Sequence, residues 1–106
     1  MMYPYVTLPD DTLITHSEIL KRNGVESVKV HFERPREYGF DSITCYLPSY
    51  EWTDGPTDRE GHYSEEEIKK FEFFLKCNAH LLFQYAQSGG ICANVSPGTR
   101  YINWKN

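Results

Sequence analysis

Apolar and polar positions follow two periods along this chain. Val28, Val30 and Phe32 alternate with Lys29, His31 and Glu33, and Ile43, Cys45 and Leu47 alternate with Thr44 and Tyr46. A period of two predicts half-buried strands, the second running from Ser42 to Leu47. From Ser64 to Gly90 the period changes. At about 100° per residue, Ile68, Phe71, Phe74, Leu75, Leu82, Tyr85 and Ala86 share one stripe. Both ends of this helix are written in the sequence. Ser64 is placed to cap the N-terminus and Glu67, three residues on, to close a capping box. Glu65, Glu66 and Glu67 suit the positive end of the helix dipole, and Gly89 and Gly90 supply the left-handed residue that ends a helix. About 25 residues make roughly seven turns, which is long for a chain of 106 residues.

The segments around these elements are shorter. Tyr5 to Leu8 reads as an edge strand before a turn at Pro9-Asp10-Asp11. Thr12 to Leu20 fits either a short helix capped by Thr15 or Ser17, or the first arm of a hairpin turning at Asn23-Gly24. A register test favours the hairpin. With that turn, paired residue numbers sum to 47, so Lys21 faces Glu26, Glu18 faces Lys29, Ile19 faces Val28 and Thr15 faces Phe32. The same register sets His16 opposite His31. Arg34 to Asp41 reads as a loop held by Pro35 and Gly39, and Pro48 ends the next strand or marks an edge. Tyr50 to Tyr63 reads as an acidic loop; from Glu51 to Glu67 there are seven acids and one base, Arg59. Ile91 to Val95 and Tyr101 to Trp104 read as two closing strands about a turn at Ser96-Pro97-Gly98.

Hairpins imply an antiparallel sheet, and the helix must cover one of its faces. The expected class is therefore α+β: about four to six short strands with one long helix over residues 64–88, in a single domain spanning 1–106.

Composition narrows the partners. A net charge of −4 argues against a nucleic-acid binder, which shows a basic stripe. Residues 1–11 have no basic start or apolar run, and no segment approaches the ~20 apolar residues of a membrane-spanning helix. Cys45, Cys77 and Cys92 are odd in number and widely spaced, which suits reduced thiols in a cytoplasm better than a disulfide framework. Without a secretory route, the sequon Asn94-Val95-Ser96 carries no meaning. Aromatic residues make up 15% of the chain; tyrosine suits a binding surface because it is half apolar and still hydrogen-bonds.

Two features break the helical stripe. Asn78 lies within it, and a buried amide must be hydrogen-bonded, either by a loop carbonyl or at a binding site. Phe73, Cys77 and His80 lie on the far side, and Phe83 lies off the stripe as well. An exposed Phe suggests a second covered face, with the 50–63 loop, the N-terminal segment or another copy of the chain as cover.

Catalytic candidates are sparse. His31 and Glu33 supply acid–base groups, and Arg34 or Arg36 an anion holder. Cys77 and His80 place two metal-capable side chains one turn apart, short of the three or four ligands zinc needs. Gly89-Gly90 follows a helix, so it is a cap and not a phosphate loop. No nucleophile elbow is present, and Asp54, Asp58 and Glu60 lack the spacing of an EF-hand. The reading favoured is a small cytoplasmic, non-catalytic protein-binding module without cofactor. It would meet a protein partner, or a second copy, through Phe73, His80, Phe83, Trp52, Tyr50 and Asn78. The alternatives are a small hydrolase or nuclease using His31 and Glu33 with Arg34 or Arg36, and an inhibitor of a basic partner in the manner of an immunity protein or antitoxin.

Overall fold

The structure, a computed structural model, describes residues 2–37, 39–53 and 63–90. Six strands and one helix lie among them: β1 (Met2–Thr7), β2 (Leu13–Ser17), β3 (Leu20–Arg22), β4 (Val25–Arg36), β5 (Gly39–Leu47), β6 (Glu51–Thr53) and α1 (Glu65–Ser88). Every pairing is antiparallel, in the order β1-β2-β4-β5-β6, and β3 pairs with β4 beyond the end of β2. The class is α+β, with α1 packed on one face of the sheet.

Asn23 and Gly24 make the expected hairpin turn, with φ of 52° and 80°, as a two-residue turn of the I′ kind requires. Near the turn the register is also the expected one: Lys21 faces Glu26 and Arg22 faces Val25. Further out it slips by one residue. Ile14 faces Phe32, Thr15 faces His31 and His16 faces Val30. Glu18 and Ile19 thus lie opposite the single residue Val28, a β-bulge. Lys29 N–H bonds the Ser17 hydroxyl oxygen there at 2.9 Å. The reason for the slip is burial. In the unbroken register Ile14 would face Glu33 on the solvent side; the bulge turns Ile14 into the core. His16 is carried inward with it and does not face His31.

Two expected loops are partly strand. Arg34 to Asp41 continues the β4–β5 ladder, with Arg34 opposite Asp41, Pro35 opposite Phe40 and Arg36 opposite Gly39. Pro35 is tolerated because β2 pairing stops at Glu33, which leaves β4 a single neighbour there among the described residues. Glu51–Thr53 returns along β5 as an edge strand, Trp52 facing Cys45. Tyr63, at the far end of the expected acidic loop, is buried. The rest of that loop, the segments Ile91 to Val95 and Tyr101 to Trp104 expected as closing strands, and Cys92 lie outside the described residues.

The helix stripe meets the sheet as the spacing predicts. Phe71, Leu75, Leu82 and Ala86 are buried with Ile14, Val28, Val30, Phe32, Ile43 and Leu47, and Ile68, Phe74 and Tyr85 pack at the margin. Phe71 stacks on Phe32 at 4.4 Å, and Tyr63 meets Phe71 edge-on at 4.8 Å. Ser64 and Glu67 form the capping box, and Gly89 ends the helix at φ 85°. Gly90 sits against β1; a Cβ there would lie 3.0 Å from that of Tyr3. Among the described residues no helix is long and apolar enough to cross a membrane.

Replacing Ser64 with Ala should lower stability by about 1 kcal/mol, the usual contribution of an N-cap side chain, while Ser64→Asp should keep most of it. Urea unfolding of the two variants would measure this.

Candidate functional site

Alternation along β4 carries Arg34 on the same face as Phe32, at the end of the sheet where α1 begins. Its Nε and Nη2 both donate to Asp41 Oδ2 across the β4–β5 ladder. Nη1 donates to Glu67 Oε2 at 2.7 Å and to Asp10 Oδ2 at 3.0 Å. The guanidinium also lies over the Tyr63 ring, 4.6 Å from its centroid, and the Tyr63 hydroxyl meets Thr12 Oγ1 at 3.0 Å. Asp41 is fully buried and takes a second cation from Arg36 at 3.2 Å. One side chain therefore ties β4, β5, the β1–β2 turn and the first turn of α1. Burial works against the charge on Arg34, but its hydrogen bonds to Glu67 and Asp41 outweigh it and raise the pKa. Burial also opposes ionisation of Asp10 and Glu67; bonds from Thr12 and Arg34 to the first, and from Arg34 and Ser64 to the second, prevail and hold both below the ordinary carboxylate range.

This anchored turn stands beside α1 and leaves a groove of about 480 Å3 between them. Leu8, Pro9 and Asp10 form one wall, and Phe71, Phe74, Cys77 and Asn78 the other. The turn is held by its own bonds: Leu8 N–H to Thr12 O at 2.8 Å, Asp11 N–H to Leu8 O at 2.9 Å, and Thr12 N–H to Asp10 Oδ1 at 3.0 Å. Phe73 stands on the rim, 71% exposed. Asn78 accepts a hydrogen bond from the Tyr5 hydroxyl at 2.7 Å and donates to Phe74 O at 2.8 Å. The groove is thus mainly apolar, and its polar lining is the Asn78 amide, Lys70, and the carboxylates Asp10 and Glu67 held by Arg34. Its volume lies within the range of ligand and side-chain pockets.

The residues singled out from the sequence are divided by the fold. Phe73, Cys77 and Asn78 share the groove, and His80 is exposed further along the helix. Phe83 is half-buried against the core rather than on the outer face. Trp52 packs 5.8 Å from Phe32 and lines a second hollow with Glu65, Ile68 and Lys69; Tyr50 lies 6.0 Å from the Lys76 ammonium. Neither belongs to the groove. His31 and Glu33 lie on the face of β4 opposite Arg34 and Arg36, because successive strand residues point to opposite sides. His31 Nδ1 instead meets Thr44 Oγ1 at 2.9 Å. The four catalytic candidates are not brought together. Among the described residues no three His, Cys, Asp or Glu side chains gather as a metal site requires. The groove's Leu8, Pro9 and Asp10 wall was not foreseen, nor was the pairing of Arg34 with Asp41. The pairing had a signal: running the Val28–Leu47 register outward sets those two residues opposite each other.

The described residues define a helix laid on an antiparallel sheet, with an apolar groove beside the helix. No protein-family model, curated protein or solved structure matches the chain.

Arg34→Ala should lower stability by about 3 kcal/mol, since it leaves a buried carboxylate with half its partners. The pH dependence should change as well. The folded pKa values of Asp10 and Glu67 lie below their unfolded values, so their contribution is present above pH ~4 and lost as pH falls through the folded values. Denaturant unfolding of the wild type between pH 7 and 3 should show this loss, and the slope should flatten in Arg34→Ala.

Proposed function

We propose that this protein is a non-catalytic interaction module that holds a segment of another protein in the groove between the β1–β2 turn and α1. The observation that carries this reading is Phe73, a large aromatic left standing in solvent on the rim of an apolar groove. An exposed ring continuous with an apolar groove forms the kind of patch that marks an interaction site, and aromatic anchors in grooves dominate protein recognition. Charge argues for the partner's chemistry. The chain carries −4 overall, the groove is lined by Asp10 and Glu67 against one lysine, Lys70, and exposed Glu65 and Glu66 lie beside Glu67. An apolar side chain flanked by Lys or Arg fits this arrangement, and like charge disfavours a second copy. An inhibitor of a basic partner, in the manner of an immunity protein or antitoxin, is one form of the same reading. The hydrolase alternative requires His31 to work with Arg34 or Arg36, and their opposite faces lend it no support.

The test is a panel of short labelled peptides, each with one aromatic residue flanked by either basic or acidic residues. Fluorescence polarisation should show binding by the basic set, weakening with salt. Phe73→Ser should weaken it at least tenfold with the melting temperature unchanged. Equal binding of both sets, or binding untouched by Phe73→Ser, would remove the reading. A dimer in sedimentation that Phe73→Ser dissociates would assign the groove to a second copy instead.

A further inference from the structure

His16 is fully buried on the face of the sheet that α1 covers. Its Nδ1 lies 2.9 Å from Ser17 O. A carbonyl oxygen accepts, so Nδ1 carries the proton and Nε2 presents a bare lone pair. Nε2 has no hydrogen-bond partner among the described residues. The ring packs 5.7 Å from Tyr3 and edge-on to Tyr5 at 6.3 Å, both on β1. From β4 its cross-strand neighbour is Val30; Lys29 and His31, on either side of Val30, point to the opposite face. From α1, Phe74 and Tyr85 reach the far side of Tyr5, each at 6.1 Å. Glu18 lies beyond Ser17 at the bulge. Burial, the larger influence, lowers the pKa of the ring, and the Ser17 carbonyl opposes it. A neutral ring therefore fits this position. An imidazolium would carry a second N–H with no acceptor, in a place closed to water.

We infer that His16 is an acid-released latch for β1: the neutral ring holds β1, and with it the Leu8–Asp10 wall of the groove, between β2 and α1, and protonation lets them go. β1 is the element that yields because among the described residues it is an edge strand with one neighbour in the sheet, interrupted between Pro4 and Val6 by a bulge at Tyr5. Edge strands are drawn from the low end of the local stability range. Tyr5 connects the latch to the groove, its ring against His16 and its hydroxyl on Asn78. The release itself follows from the burial of His16; its effect on binding rests on the function proposed above. The sign is that of a buried neutral base. The folded pKa lies below the unfolded value of about 6.5, so the latch is fully held above that pH and lost as pH falls through the folded value.

Hydrogen exchange of the free protein between pH 7.5 and 4.5, corrected for intrinsic rates, tests this. Protection of β1 amides should fall at least tenfold more than that of β4 and β5 amides, with a midpoint matching the NMR titration of the His16 ring. His16→Gln, which cannot titrate, should remove the differential loss. The latch is overturned if β1 and β4 lose protection together, if the ring is protonated while β1 stays protected, or if His16→Gln behaves as the wild type. Should His16→Gln not fold, coincidence of the two wild-type midpoints decides. Phe73→Ser should leave the exchange profile intact, so failure of the groove in peptide binding and failure of the latch in exchange are read separately.

Discussion

Arg34 occupies the point where four separate stretches of chain have to agree. Its partner Asp41 is removed from water altogether, and a buried carboxylate is strongly unfavourable unless its oxygens are bonded to cations or N–H groups. Two arginines from the facing strand supply those bonds. The guanidinium is then left with donors that reach outward, and Asp10 and Glu67 take them. The network contributes placement more than net energy, because desolvating the ions offsets most of their attraction. It sets the position of the β1–β2 turn against the start of α1, and so the width of the groove.

The second organising constraint is the period of the pleat. Two bulges, at Tyr5 in β1 and at Glu18–Ile19 between β2 and β3, shift side chains to faces an unbroken ladder would deny them. The first brings Val6 opposite Ile14 and leaves Tyr5, whose hydroxyl bonds Asn78, as the extra residue of the strand. The second brings Ile14 into the core and His16 with it. The place of His16 under α1 is thus a product of the way the sheet is corrected to bury Ile14. Asn78, which interrupts the apolar stripe, is bonded within the chain, by a tyrosine hydroxyl and a helix carbonyl rather than by a loop.

Phe73 lies off the buried stripe of α1 and has no place in the core. The β1–β2 turn is anchored beside it by Arg34 and does not close over it. The exposed ring and the acidic surroundings together support a binding role; the division of His31 and Glu33 from Arg34 and Arg36 removes the geometric support for the catalytic one.

Local chemistry made several elements legible in the residues alone. The capping box at Ser64 and Glu67, the stop at Gly89, the turn at Asn23-Gly24 and the alternation of Val28, Val30 and Phe32 depend on interactions between neighbours a few positions apart, which the order of residues determines. The α+β class followed from them. Burial decided the rest. Whether β2 keeps register with β4 depends on which of its residues meets α1, some 60 positions away, and that contact made His16 a core residue and ended its expected pairing with His31. Pro35 and Gly39 read as loop residues because their local preferences carry no record of the missing third strand that lets Pro35 sit in a ladder. The groove, likewise, is a distance between a turn and a helix that are remote in sequence. Such distances are set by packing and by ion pairs such as Arg34–Asp41, which exist only once the chain has folded.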